Sequence, residues 1–452
     1  MGRLGGASSA FIVSYGAAHG AKSLIWHASE LLFAFFLTEA VGLPPSHVGL
    51  ILALSLLVNA VMDLVLGWLI RHVVTTSRSA GRMQMIGAVA SGLTLVIFAS
   101  TGALPETLQF GFALASILVF RCAYPLLDNP QNAMLAFATG DDGGRAQLAS
   151  IRYLVGGTAH LALAAIFAPM MIDVAAKAQS DRFWWLCACL AALAIGTAIA
   201  LYSRVRREPG VCIKGAARCQ AIGVAKPMNA RMGAIAIFAM AFSLSASVPI
   251  FSKLNPYFAA FGVRGVFDAG MILSAAALGS LFSQFGWSRL AQSWRLVVVL
   301  RAALATTTAG AMLFYLGAGH GGVIAAICVA IYGVGSGGVM MSVWSLLAGV
   351  AAAPNTRFPG TAAFGVYTCC SKMGHAVSAG LVGLILAGID YRTYAAAAGP
   401  VVAWMAAGPI LGGIIVAFLS IRLFEQDPTA PRPLNPPKAH IARRRSRFGQ
   451  TS

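Results

Sequence analysis

Eight charged side chains lie within long apolar stretches of the sequence, where charge is costly. They are the bases Lys22, Arg121, Arg152, Lys253 and Lys372 and the acids Glu30, Asp63 and Asp128. One charged residue at the centre of a membrane helix costs about 2.5–3.5 kcal/mol on insertion scales. Eight such costs exceed the roughly 5–15 kcal/mol by which a folded domain is stable. The side chains must therefore face one another or water, which predicts a polar interior along which a solute can cross.

Helical spacing places the polar residues of each stretch on one face. In five stretches they recur at steps of three and four residues, the spacing of neighbours on a helix surface. The faces are formed by Tyr15, His19, Lys22, Trp26 and Glu30; by Ser55, Asn59 and Asp63; by Arg121, Tyr124, Asp128 and Asn132; by Arg152, Gly156 and His160; and by Thr368, Lys372 and His375. These faces predict one cavity bounded by five helices, although ion pairs that merely lock helices together remain the alternative interpretation.

The composition indicates which elements position these faces. Of 452 residues, 58% are hydrophobic and 10% are charged, and the mean hydropathy is +0.77. Soluble domains carry about 25% charged residues. Apolar runs near 20 residues are the length that a helix needs to cross a bilayer core. We predict twelve membrane-spanning helices, near residues 11–39, 46–70, 83–102, 108–138, 147–171, 182–203, 232–260, 268–286, 296–317, 323–351, 361–388 and 399–421.

The widest polar gap follows the sixth predicted span. It predicts an N-terminal six-helix half over residues 1–203, a cytoplasmic loop over 204–231 and a C-terminal six-helix half over 232–421. A basic tail over 422–452 is expected to be disordered. The fold class predicted is an all-α membrane protein in two halves, as in transporters that are built from structural repeats.

Basic residues are distributed unevenly between the predicted connecting segments. Of the 32 Lys and Arg, five lie inside the spans and four lie in segments that follow odd-numbered spans, namely Lys177, Arg182, Arg264 and Arg392. The other 23 lie on the side of both termini, which the positive-inside rule identifies as cytoplasmic. We expect an integral protein of a bacterial inner (plasma) membrane. The basic tail is expected to contact anionic membrane lipid and not nucleic acid.

Cysteine usage and motif content argue against metal chemistry and catalysis. Six of the eight cysteines fall within predicted spans, where cysteine behaves as a small apolar residue. Cys212 and Cys219 have no neighbouring histidine or second cysteine pair to complete a zinc site. No metal, disulfide or cofactor is expected. Gly-x-Ser-x-Gly, His-Glu-x-x-His and nucleotide-binding motifs are missing from the sequence, so we predict no enzyme; a membrane-embedded enzyme or a receptor is the alternative class.

Short motifs along about half of the chain occur in a characteristic order. They are Tyr15-Gly16, Val41-Gly42-Leu43, Asn59 to Asp63 with Gly67-Trp68, Asp128-Asn129-Pro130, Arg145 with Ser150 to Tyr153, Gly335 to Trp344, and Arg357 to Ala362 followed by Lys372. In order and spacing they resemble the glycoside–pentoside–hexuronide:cation symporters of the major facilitator superfamily. The resemblance implies twelve helices in the major facilitator fold, a small-molecule solute carried by alternating access, and a monomer.

The cation site that the resemblance implies is incomplete in this sequence. Two second-helix acids of the family correspond to Asn59 and Asp63, and its fourth-helix acid corresponds to Asp128. Sodium needs several hard oxygen ligands, so protons are the predicted coupling ion ahead of Na⁺ or uncoupled transport. We expect the Arg121 guanidinium in the cation's place, paired with Asp63 or Asp128. The predicted coupling or ion-site residues are Asn59, Asp63, Arg121, Asp128, Lys372 and His375.

The substrate site that the resemblance implies also differs. The family's first-helix acid corresponds to Ser23, whereas its fifth-helix arginine is kept as Arg152. Five buried bases against three acids leave an excess of positive charge, and arginine binds carboxylate or phosphate with two parallel hydrogen bonds. We predict an anionic solute such as a uronide, a sugar acid or another carboxylate. A neutral glycoside and a lysolipid or other amphiphile are the alternatives. The predicted substrate-binding residues are Lys22, Ser23, Trp26, Tyr124, Asn132, Arg152 and Lys372.

Overall fold

The computed structural model describes residues 9–70, 73–74, 76–137, 142–172, 174–207, 230–263, 265–352 and 361–424. Twelve long helices make up almost all of this part of the chain. In chain order they are α1 (Ser9–Leu31), α2 (Pro45–Ile70), α3 (Ser77–Ala99), α4 (Glu106–Phe137), α5 (Asp142–Ala162), α6 (Ala176–Arg207), α7 (Ala230–Tyr257), α8 (Val266–Ser293), α9 (Leu296–Gly317), α10 (Gly322–Ala352), α11 (Thr361–Ala387) and α12 (Val402–Phe424).

These helices confirm the predicted all-α membrane fold, and each predicted span coincides with one of them. By length and composition alone, eleven helices of the described chain can cross a membrane. The exception is α1, because its stripe of polar and charged residues lowers its hydropathy. Several helices run beyond the predicted spans, as α6 does at Arg204, Arg206 and Arg207. Basic side chains in a last turn interact favourably with the negative end of the helix dipole, so α6 continues past its apolar stretch.

Because successive helices alternate in direction, the helix ends form two sets. Ser9 and Phe424, the outermost described residues, lie at one end of the bundle, which we call the terminal end. At the other end, the opposite end, four helices contain a π-helical turn. These turns are Phe36–Ala40 beyond α1, Leu163–Phe167 beyond α5, Phe258–Gly262 beyond α7 and Ala397–Val401 before α12. Irregular turns at membrane depth need protein neighbours to satisfy their backbone, and the turn Leu163–Phe167 packs against α8 of the other six helices.

Packing in the second six helices repeats that of the first six. In the first six, α1 packs on α5 and α6, α2 on α4, and α3 on both α4 and α6. In the second six, α7 packs on α11 and α12, α8 on α10, and α9 on both α10 and α12. The sets are joined by α2 against α11, by α5 against α8 and, over a smaller contact, by α1 against α7. The predicted loop and tail boundaries stay predictions, because residues 208–229 and 425–452 lie outside the described part.

Glycines allow the closest helix approach between the two sets. A methyl group on Gly383 of α11 would lie 2.4 Å from the Cα atom of Gly49 in α2. Real side chains cannot approach so closely, so these two backbones touch only because both positions lack a side chain. The contact lies toward the opposite end, where it holds α2 and α11 together.

An aromatic cluster fixes the end of α1 within the first six helices. The ring of Phe36 stacks on Phe183 of α6 at 3.9 Å between centroids, and Phe33 lies 4.8 Å from Phe98 of α3. All four side chains are fully buried. Packed aromatic pairs add stability beyond the area that they bury. The cluster therefore fixes the direction in which the polar stripe of α1 faces.

Candidate functional site

The polar stripe of α1 meets α4 and α5 in one hydrogen-bonded network. The Lys22 ammonium donates to Asp128 Oδ1 at 2.6 Å and to Asn132 Oδ1 at 3.2 Å. Asn132 returns a hydrogen bond from Nδ2 to the same Asp128 oxygen at 3.1 Å. Arg152 of α5 donates to Asn132 Oδ1 at 2.8 Å and to the Tyr15 hydroxyl at 3.4 Å. Among the described residues, the Arg152 guanidinium therefore contacts neutral oxygens and no carboxylate.

The Lys22–Asp128 pair borders open space at mid-helix depth. The Lys22 side chain is 5% exposed, but that of Asp128 is 21% exposed. Pro125 and Pro130 lie within α4 on either side of Asp128, and each proline removes one backbone hydrogen bond of the helix. Exposed carboxylate and irregular helix together are the features of a wet cavity inside a membrane bundle.

A second ion pair joins α2 to α11. The Lys372 ammonium donates to Asp63 Oδ2 and to Asn59 Oδ1. Asn59 and Asp63 lie one helical turn apart, so both present an oxygen to the same ammonium. The Nζ atom also lies 5.6 Å from the ring centroid of Trp26 in α1. The positive charge of Lys372 thus occupies the oxygen ligands that a metal cation would need.

A third ion pair joins α1 to α7 and α11. The Lys253 ammonium donates to Glu30 Oε2 at 2.6 Å, and the ring nitrogen Nδ1 of His375 lies 2.9 Å from the same oxygen. Lys253 is 3% exposed and Glu30 is 13% exposed. Both residues stood out in the sequence as intramembrane charges, but neither was placed in a predicted site, because nothing in a one-dimensional pattern paired them.

Arg121 does not form the ion pair with Asp63 or Asp128 that the sequence predicted. Lysines already hold Asp63 and Asp128, and the guanidinium of Arg121 pairs with neither. It is 1% exposed, and its Nε and Nη1 atoms have no hydrogen-bond partner in the described chain. Instead its Cζ atom lies 5.7 Å from the ring centroid of Trp26 and 5.6 Å from that of Phe120. The cause is helix packing, which sets Lys22 and Lys372 at the two carboxylates.

The remaining predicted residues border this region. The Tyr124 ring lies 6.1 Å from Trp26, which is itself 6.1 Å from the His375 ring. Ser23 is buried next to Gly156 of α5, where a methyl group would lie 3.7 Å from the serine oxygen. Ser23 joins none of the hydrogen bonds described above, so its contact with substrate stays a prediction.

A polar lock at the opposite end was missed by sequence reasoning. The Thr38 and Tyr257 hydroxyls are 3.0 Å apart. Tyr391 donates to Glu39 at 2.6 Å, and Arg392 donates to Glu39 at 3.1 Å. These contacts join the end of α1 to α7 and to the segment that follows α11. We call these five residues the outer lock. Short connecting segments carry no periodic pattern, so no sequence signal linked them.

Tyr391 and Arg392, the two lock residues between α11 and α12, each keep one protonation state. Burial, and then the hydrogen bond to Glu39, raise the pKa of Tyr391 above its usual value. Burial alone would lower the pKa of Arg392, but the charge of Glu39, its hydrogen bond and the nearby tyrosines Tyr391 and Tyr257 together outweigh burial and raise that pKa. Tyr391 therefore stays a neutral donor and Arg392 stays a cation at neutral and mildly alkaline pH.

The chain matches a known protein family and a curated relative. The profile of the family described as "MFS/sugar transport protein" matches residues 14–424. A curated relative, the putative glycoside/cation symporter YagG of Escherichia coli (strain K12), is 24% identical over 159 residues, which is 35% of each chain. The match thus spans about a third of that relative's length.

Solved structures show the same fold at low sequence identity. The nucleoside transporter NupG superposes with a TM-score of 0.63 and 13% identity, covering 92% of this chain and 100% of that one. A D-xylose-proton symporter gives a TM-score of 0.65 and 13% identity over 93% and 98% of the two chains. A POT family transporter in complex with 5-aminolevulinic acid gives 0.65 and 12% over 92% and 95%. At these identities the likeness concerns the fold.

Proposed function

The chain belongs to the MFS/sugar transport protein family, and from this premise we propose that it carries a small anionic solute across the membrane. Members of this family are transporters and not enzymes. The uronides, sugar acids and other carboxylates are the solute class that we favour. The two six-helix sets would rock about the central polar residues and expose them alternately to each side.

One observation carries the choice of an anion. Each of the three buried carboxylates contacts a lysine: Asp128 contacts Lys22, Asp63 contacts Lys372 and Glu30 contacts Lys253. Within the described part of the chain, this pairing leaves Arg121 and Arg152 without an ion-paired carboxylate. Arginine is charged at every accessible pH, and an unpaired buried charge is costly. An anionic solute between the helices would supply the missing counter-charge.

Arg152 is the residue that we assign to the solute. Its guanidinium is half-buried and is bound only by the Asn132 amide oxygen and, at 3.4 Å, by the Tyr15 hydroxyl. Both partners are neutral acceptors. An incoming carboxylate could therefore replace them and accept the N–H groups of Arg152 instead. Asn132 and Lys22 would contribute further polar contacts, while the half-buried Trp26 would offer an aromatic face to a sugar ring. Tyr124 is buried and packs near the Trp26 ring.

Protons are the coupling ion that the arrangement favours. Sodium binding needs several free oxygen ligands, and the oxygens of Asn59, Asp63 and Asp128 already accept hydrogen bonds from lysines. A proton needs no such cage, and His375 beside Glu30 is a candidate carrier. We also propose that the terminal end is cytoplasmic, because most basic residues lie on that side.

A neutral glycoside is the second candidate. It is favoured by the name of the curated relative, a putative glycoside/cation symporter, and by the aromatic rings of Trp26 and Tyr124 around the cavity. The distinction between the two candidates is one of charge, so one ligand panel separates them.

The test is ligand-dependent melting of the purified protein. The panel holds glucuronate, gluconate, methyl glucoside and lysophosphatidylcholine, each with sodium chloride or choline chloride. A ligand at a hundred times its Kd adds about 2.7 kcal/mol of stability, which a melting curve resolves. We expect stabilisation by the acids alone, without a sodium effect, and its loss in Arg152→Ala. Arg182→Ala, at an exposed guanidinium of α6, is the matched control. Stabilisation by methyl glucoside alone would refute the anionic assignment.

A further inference from the structure

Arg121 is a fully buried charge that forms no ion pair with any residue of the described chain. Its exposure is 1%, and both Nε and Nη1 lack a hydrogen-bond partner. Two aromatic rings, Trp26 and Phe120, flank the guanidinium at 5.7 and 5.6 Å. Aromatic faces attract a cation, but they do not replace hydrogen bonds to five N–H donors. Such a group is retained at a cost to folding, which is typical of a binding site.

The two acids nearest to Arg121, Glu30 and Asp63, form no ion pair with it in the described chain, although each keeps one carboxylate oxygen without a hydrogen-bond partner. Lys253 and His375 both contact Glu30, and Lys372 holds Asp63. Arg121 is therefore a positive charge additional to Arg152, and the interior carries two more fixed bases than acids. A solute with a single negative charge at Arg152 would leave Arg121 uncompensated.

The two arginines lie at different depths along α1. The Arg152 guanidinium contacts the Tyr15 hydroxyl, whereas that of Arg121 lies against Trp26. Tyr15 and Trp26 are eleven residues apart, or about 16 Å along a helix at 1.5 Å per residue. The Lys22–Asp128 pair lies between them. Two positive points separated along one cavity wall suit a solute with an anionic group at each end.

We propose that Arg121 is a second anion-binding point, and that the transported solute is a dianion whose two acidic groups pair with Arg152 and Arg121. This rests on the proposed anionic solute and narrows it to diacids and their equivalents. Trp26, which is only half-buried, covers the guanidinium in this conformation. The second acidic group of the solute reaches Arg121 when the indole turns aside.

A matched pair of probes tests the second point. Glucarate and gluconate share a six-carbon chain and differ in one carboxylate, and their Kd values are measured by titrated melting of the full-length protein. We expect glucarate to bind at least tenfold more tightly than gluconate. In Arg121→Met this preference should fall below twofold, because glucarate loses its second partner whereas gluconate keeps Arg152. Arg182→Met is the control and should keep the preference.

A measurement without ligand supports the same test. Methionine fills a similar volume without a charge, so Arg121→Met should melt at a higher temperature than the wild type, whereas a purely structural arginine would give a lower one. Equal binding of glucarate and gluconate by the wild type would refute the dianion while leaving the anionic solute intact. Binding of methyl glucoside alone, or of neither acid, would refute both.

Discussion

Glu30 of α1 accepts a hydrogen bond from Lys253 of α7 at 2.6 Å, and this ion pair crosses between the two six-helix sets. The residues are 223 positions apart in the chain. His375 of α11 lies against the same carboxylate oxygen at 2.9 Å. One acid of the first set thus holds two bases of the second, next to the cavity that we assign to the solute.

The first prediction concerns this shared carboxylate. Glu30→Gln leaves Lys253 buried without a counter-charge, so stability should fall by about 3–5 kcal/mol. Lys253→Met should cost less, because Glu30 keeps His375. The double variant should recover most of the loss, and thermal melting measures all three. Lys177→Met, at an exposed lysine, serves as the control; an unchanged melting temperature in Glu30→Gln would contradict the pairing.

The second prediction concerns sodium. In the wild type, Lys372 occupies the oxygens of Asp63 and Asn59, so sodium chloride and choline chloride should give the same melting temperature. Lys372→Ala frees those oxygens for a hard cation and should make the protein more stable in sodium than in choline. Lys253→Ala opens no comparable set of oxygens and should stay insensitive. Sodium stabilisation of the wild type would show that the lysine does not replace the ion.

The third prediction concerns the outer lock. Glu39→Gln weakens the hydrogen bonds from Tyr391 and Arg392, so the opposite end should open more often. Ala34→Cys places a thiol in a small pocket at the lock, which Thr38 and Tyr257 also line. A membrane-impermeant maleimide should label this thiol severalfold faster in Glu39→Gln than in Glu39 protein. Parents that lack Ala34→Cys correct for native cysteines.

Maleimide labelling of Ala34→Cys also measures how the lock responds to alkaline pH. Because the pKa of Tyr391 and that of Arg392 are both raised, the stabilisation from the protonated groups is complete below their ordinary pKa values. It is lost only as the pH rises through the raised values. Labelling of Ala34→Cys, normalised to the denatured protein at each pH, should therefore stay constant between about pH 7 and 9. An increase over that interval would mean that another group controls the lock.

The fourth prediction concerns the glycine contact between α2 and α11. Gly383→Ala places a methyl group 2.4 Å from the Cα atom of Gly49, and overpacking of this kind costs about 1–3 kcal/mol. The opposite end should separate, with faster Ala34→Cys labelling and a lower melting temperature. Gly196→Ala is the matched control, since a methyl group there meets nothing within 4 Å. Equal melting temperatures and labelling rates in the two variants would show that Gly383 and Gly49 are not in close contact.

The sequence predicted the fold well because membrane helices leave a signal in one dimension. Each span is a run of apolar residues long enough to cross the bilayer, and all twelve runs coincide with long helices. The candidate site was found in part for a related reason. Lys22, Asp128, Asn132 and Arg152 recur at helical spacing, and the structure brings all four into one network.

The sequence by itself determined which residues are buried charges and which helix face each occupies, since hydropathy and a period of 3.6 residues specify both. Only the tertiary structure decided the partners. Asp63 pairs with Lys372, 309 residues away, and not with Arg121. Periodicity specifies the helix face on which a residue lies. It specifies neither the depth of the residue in the bundle nor the helix that it faces. Arg121 forms no ion pair because the packing of distant segments placed a lysine at each of the three intramembrane carboxylates Glu30, Asp63 and Asp128.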